Sequence, residues 1–196
     1  MERWIYHQEE YKGYTIRIVE DPSPHNPRED CDNFGTMICF HRRYSLGDKH
    51  NFTRLELCDM AFGKDYVAVP VFLYDHSGLA LDYRSFIGRA QHAEWDSGKI
   101  GYNVVSYDKI RQEFNRKRIS KKLLKKAKEI LQAEVELYGY YISGRCYGYE
   151  IVDADGDVQE SCWGFMGQNV MNSIMDEAKG QIDWLCESGK TFSLDT

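Results

Sequence analysis

Three stretches of the chain concentrate the side chains that can do chemistry. GTMICFHRRYSLGDKH at 35–50 carries His41, Arg42, Arg43, Tyr44, Asp48 and His50. VPVFLYDHSG at 69–78 carries Asp75 and His76, and HAEWDSGKIG at 92–101 carries His92, Trp95 and Asp96. Each joins an apolar run of β type to a turn, which puts the polar groups at strand ends. Imidazoles and carboxylates from separate strand ends can converge on one Zn²⁺, Mn²⁺ or Fe²⁺ ion. Two guanidinium groups can fork onto a phosphate or carboxylate, and Tyr44 and Trp95 offer faces for stacking a base or nucleotide ring. Neighbours on an extended segment point to opposite faces, so one of Arg42 and Arg43 is expected in any given pocket.

The same residues have plainer uses. Asp48, Asp75 and Asp96 in turns are suited to bonding backbone amides, and the arginines are suited to ion pairs with Asp48 or Glu56. No HExxH spacing enforces a metal site, no GxSxG elbow surrounds Ser77 or Ser97, and Gly98-Lys-Ile-Gly101 is neither a Walker loop nor a dinucleotide fingerprint. DADGD at 153–157 starts like a calcium loop, but its Gly falls too early and no Glu stands at the twelfth position, so a turn is expected. Binding therefore leads over catalysis. The expected ligand set is His41, Arg42, Arg43, Tyr44, Asp75, His76, Trp95 and Asp96, with no catalytic residue assigned. The alternative is a metal-dependent hydrolase of a phosphodiester or nucleotide using the same His and Asp residues. A divalent metal belongs to that alternative alone, and the leading reading calls for no cofactor.

A second feature is electrostatic. Residues 109–128 hold ten Lys and Arg against the single Glu113; with a net charge of −6 over the whole chain, this ridge is +9 and the remainder −15. Arg116, Lys117, Arg118, Lys121, Lys122, Lys125 and Lys126 form its centre. Such a ridge suits a phosphate backbone or an acidic protein surface, or it is the solvated face of an amphipathic helix.

The elements that must position these groups can be read from periodicity and punctuation. Tyr14, Ile16 and Ile18 alternate with polar residues, giving one or two strands over 3–20 with a turn at Lys12-Gly13. Residues 21–34, with three of the four prolines, form a surface loop. A strand at 35–41 follows, mostly apolar as one covered on both faces would be. Thr53 or Asn51 can cap a short helix ended by Gly63. Strands are expected at 66–74 and 79–83, with Pro70 marking an edge or bulge in the first, and again at 100–105. Helices are expected over 107–116, 120–138 and 168–187, and a hairpin over 146–165. The order argues for an α+β fold, a mainly antiparallel sheet carrying two or three helices, as a single domain over 1–196.

Composition narrows the class. With 42% hydrophobic and 14% aromatic residues, a chain of 196 can bury a sizeable core, so disorder of the body is not expected. Six scattered cysteines without a CxxC pair suggest neither a zinc ribbon nor a disulfide framework. No run approaches the roughly 20 apolar residues of a membrane span, and MERWIYHQEEYKGY lacks the features of a secretory leader. A cytosolic protein is expected.

Taken together, GTMICFHRRYSLGDKH, the YDHSG of VPVFLYDHSG and the WDSG of EWDSGKIGY, followed by a helix and SCWGFMG, resemble the motifs of a family of small proteins encoded by bacteriophages and other mobile elements. The resemblance runs over about residues 13–167. It implies a genomic setting, and it transfers no catalytic residue. Such a setting implies an accessory role in the host cytosol, as an inhibitor or sequestering protein directed at a host defence complex or at its nucleic-acid or nucleotide ligand.

Overall fold

The computed structural model describes residues 4–188. In chain order the elements are β1 (Ile5–Tyr11), β2 (Tyr14–Glu20), β3 (Thr36–Cys39), α1 (Arg54–Phe62), β4 (Tyr66–Asp75), β5 (Leu79–Asp82), α2 (Ala93–Asp96), β6 (Ser97–Ser106), α3 (Tyr107–Glu113), α4 (Lys121–Ile142), β7 (Cys146–Val152), β8 (Val158–Met166) and α5 (Val170–Ser188). The α+β class stands, with all strand pairing antiparallel. The strands divide into two four-stranded sheets, β1-β2-β7-β8 and β3-β6-β4-β5, where the sequence suggested one. Five helices form among the described residues, the four expected from the sequence and the four-residue α2, which the sequence did not suggest. Periodicity defines a strand but not its partner, and the pairing of Thr15 with Val152 joins residues far apart in the chain.

Backbone contacts gather the chain into two compact units, the described residues of 1–25 with 144–196, and residues 26–143. In the first, Lys12 and Gly13 both take positive φ, the geometry that a two-residue hairpin requires. One face of this sheet packs Ile16, Ile18, Tyr149 and Ile151 against Ile174, Met175, Ala178 and Ile182 of α5.

The second unit holds every residue of the expected site and ridge. Its sheet is covered on both faces, which explains the near-continuous apolar character of β3. Met37, Val69, Val71 and Leu73 pack with Ala127, Leu131, Val135 and Tyr138 of α4. On the opposite face Ile38 and Val104 pack with Leu57 of α1. α1 starts at Thr53 in a capping box with Glu56, which satisfies two otherwise orphaned backbone amides. Pro70 lies within β4, which has β6 on one side. β5 pairs only with Phe72–Asp75 on the other, so the ring faces an open edge and removes no ladder bond there. The register shift between Val71 and Phe72 is the bulge that accompanies it.

Candidate functional site

The antiparallel register brings the three polar turns to one end of the sheet. Cys39 at the end of β3 pairs with Gly101 of β6, and Tyr74 near the end of β4 pairs with Ser97 at the start of β6. The segments that follow β3 and β4 and precede β6 therefore open at the same edge. Side chains then link them in pairs. The Arg43 guanidinium donates to Asp75, and the Tyr44 hydroxyl approaches the other Asp75 oxygen at 3.5 Å. His76 Nδ1 lies 2.8 Å from Asp96 Oδ2.

Rings reinforce the pairing. His41 stacks on Tyr44 with centroids 5.1 Å apart and planes 6° from parallel. The Arg43 guanidinium sits 5.4 Å over the same tyrosine ring. Tyr74 stacks on His76 at 5.9 Å, and His92 approaches His76 at 5.8 Å. His41 Nδ1 accepts from the backbone amides of Arg43 and Tyr44 at 3.3 Å, which leaves its Nε2 as the outward donor.

This arrangement assigns different duties to residues that sequence treats alike. Both arginines sit in a bend beyond the end of β3 and are exposed; Arg43 is held by Asp75, while its neighbour Arg42 has no acidic partner among the described residues. Trp95 is 87% exposed on the four-residue α2, beside Asp96. Of the acid and imidazole groups, His76 and Asp96 pair with each other, His92 stands beside His76, and Asp75 is taken by Arg43. Asp48 faces inward, and His50 Nε2 meets the Cys39 carbonyl at 3.1 Å. Among the described residues no three His, Cys, Asp or Glu side chains come together so as to hold a metal ion.

Sequence reasoning missed a deeply placed charge. Residues 21–34 read as a surface loop, yet Arg28 turns inward until its side chain is only 1% exposed. Its Nε and Nη2 fork onto Asp48 at 2.7 Å each, Nη1 donates to Asn33 at 2.7 Å, and Nη2 also donates to the Gly35 carbonyl at 2.9 Å. Glu134 of α4 lies 3.6 Å from Nη1 and accepts the backbone amides of Phe34 and Gly35 and the side-chain amide of Asn103. Asp48 in turn accepts the Met37 amide at 2.9 Å. The loop, β3, α4 and the turn at 44–50 are thus joined around one guanidinium. A proline-rich loop next to an apolar strand carries no local sign of this, because the partners lie 20 and 106 positions away.

A shallow depression of about 520 Å³ is walled by residues 39–50. Cys39 lies at its base, and burial, with Asp48 nearby adding to it against Arg28, pushes the thiol up to about 12. The thiolate is the reactive form, so this cysteine is inert at neutral pH. Iodoacetamide at pH 8 should alkylate the exposed Cys31 and Cys58 in the native protein and leave Cys39 intact until denaturant is added. Peptide mass mapping reads the result. Rapid native labelling of Cys39 would mean that the turn at 44–50 opens freely.

The basic ridge is the other concentration of charge. Lys121 and Lys122 occupy the first turn of α4, which contains no acidic residue. Arg116, Lys117, Arg118, Lys121, Lys122, Lys125 and Lys126 are all exposed. Of these seven, Lys125 has an acid neighbour, Glu129 at 3.8 Å, and Lys126 sits 5.0 Å over the Phe114 ring. The others have no acidic partner among the described residues. Arg28, Arg43, Arg84, Arg89 and Arg111 of the same unit each pair with an aspartate.

No helix among the described residues is long and apolar enough to cross a membrane. No protein-family model, curated protein or solved structure matches the chain.

Proposed function

We propose that this protein acts by stoichiometric binding to a host protein, and that the strand-end face of the 26–143 unit is its recognition surface. The observation that carries the reading is the linkage of the three turns by Arg43–Asp75 and His76–Asp96. The Arg43 guanidinium is offset by Asp75 and the His76–Asp96 hydrogen bond ties the next turn, so the surface is firm and its central arginine is already occupied. That weakens it as an anion trap and suits it to a protein. Around the paired groups stand an exposed tryptophan, a free arginine and a stacked His-Tyr pair, the side-chain types that anchor protein interfaces. The three motifs that form the face are the ones that resemble phage and mobile-element proteins. On that resemblance the partner is a component of a host defence complex, which this chain inhibits or sequesters in the cytosol.

The test is native mass spectrometry on protein purified gently from host cells, wild type beside Trp95→Ala and Arg42→Ala. The expected spectrum shows a second polypeptide in fixed ratio on the wild type, lost from both variants and kept by Lys122→Glu. Turnover of a substrate at substoichiometric protein would overturn the reading, as would variants that fold normally and keep their full biological effect.

A further inference from the structure

The groove between the 114–120 connection and the first turns of α4 has a chemistry of its own. It measures about 740 Å³ and is lined by Phe114, Arg116, Arg118, Lys122, Lys125 and Lys126, among others. On α4, Lys121, Lys125 and Lys128 follow i, i+4, i+7 spacing and Lys122 and Lys126 i, i+4, so two cation rows run along the helix, one for roughly 10 Å and one for roughly 6 Å. Lys121 and Lys122 stand in the first turn, at the positive end of the helix dipole, where lysine is unfavourable and aspartate or glutamate would stabilise. Among these five lysines Lys125 alone has an acidic partner among the described residues, Glu129 at 3.8 Å, which also lines the groove, while Arg28, Arg43, Arg84 and Arg89 of the same unit each pair with an aspartate.

We propose that this groove binds the phosphate backbone of nucleic acid without regard to sequence. Three observations favour nucleic acid over an acidic protein. Protein interfaces place aromatic and apolar residues at their centre and deplete lysine, whereas the only apolar side chains lining this groove are Phe114 and Leu123, both half-buried in the core. Interfaces with nucleic acid are far more positively charged. Phe114 is covered by Lys126 and packed edge-on against Phe34 at 5.8 Å, so no ring is free to stack a base and recognition is left to the backbone. The remaining charge of −15 does not forbid this, because at physiological salt it is screened beyond about 8 Å. It confines contact to the ridge.

The experiment is fluorescence anisotropy of a labelled 20-base-pair DNA duplex and the matching single strand, titrated with protein from 50 to 300 mM NaCl. Contact with five phosphates gives a slope of log K on log salt of about −4.5 for the duplex. Two unrelated sequences should bind equally. The Arg118→Glu/Lys122→Glu double variant should lose more than tenfold in affinity with a slope shallower by about 2, while Trp95→Ala binds as wild type. Because the Lys122 change puts an acid in the first turn of α4, the double variant should melt no lower than wild type, which separates lost binding from lost structure. No binding at 50 mM salt would overturn the proposal. So would a slope flatter than about −1, full binding by the double variant, or competition by polyglutamate equal to that of DNA per unit charge.

Discussion

Arg28→Ala is expected to lower the free energy of unfolding by about 3–5 kcal/mol, the loss typical of removing one partner from a buried charge cluster. The substitution removes more than contacts. Asp48 and Glu134, with side chains 21% and 13% exposed, would remain among the apolar residues of the core without the guanidinium that offsets their charge. The backbone would suffer as well, since the Gly35 carbonyl loses a donor in a place that water does not reach. Arg43→Ala provides the contrast. That side chain is 67% exposed, and screened pairs of this kind contribute about 0–1 kcal/mol. Two pairs of the same chemical type should therefore differ severalfold in urea-induced unfolding. Arg28→Ala combined with Asp48→Asn should cost less than the sum of the single changes, because the second removes a charge that the first has stranded. A loss below about 1 kcal/mol for Arg28→Ala would mean that the cluster is open to water.

The contrast also explains which parts of the molecule could be read from residues alone. β2, β4, β6 and α4 follow from alternation, helical spacing and caps such as Ser120, whose hydroxyl accepts the Leu123 amide at 3.2 Å. The three polar turns could be named because each adjoins an apolar strand. Their convergence could not, since it depends on β3, β4 and β6 sharing a register, a property of pairing and not of any one segment. Nor could the choice between Arg42 and Arg43. Alternation says that they differ, but only the position of Asp75 says which is held. Asp48, grouped by sequence with the histidines of its own segment, belongs instead to Arg28. Division into two sheets escaped for the same reason, since β2 and β7 are each plausible beside any strand until the intervening 26–143 unit is seen to close on itself.

Gly139→Ala and Gly180→Ala should shift stability in opposite directions, although helix propensity predicts a gain of up to about 1 kcal/mol for both. Gly180 lies on the exposed face of α5, where an added methyl meets nothing within 4 Å, so the propensity gain should appear in full. Gly139 is buried in α4 where the helix crosses β5, and a Cβ there would collide with the Leu81 carbonyl oxygen. That atom is backbone and cannot turn aside as a side chain would, so either α4 or β5 must move. Overpacking of this kind costs about 1–3 kcal/mol, enough to outweigh propensity and give a net loss. Thermal unfolding followed by circular dichroism reads both variants, and a higher melting temperature for Gly139→Ala would refute the packing argument. The displacement has a functional consequence as well. Tyr138, the preceding residue, accepts the Gly47 amide at 3.1 Å, and Glu134 one turn earlier holds Phe34 and Gly35. Moving α4 away from β5 therefore pulls on the turn that presents Arg42 and Tyr44. Gly139→Ala should weaken binding at the strand-end face even at temperatures where the variant remains folded, whereas Gly180→Ala should leave that binding unchanged.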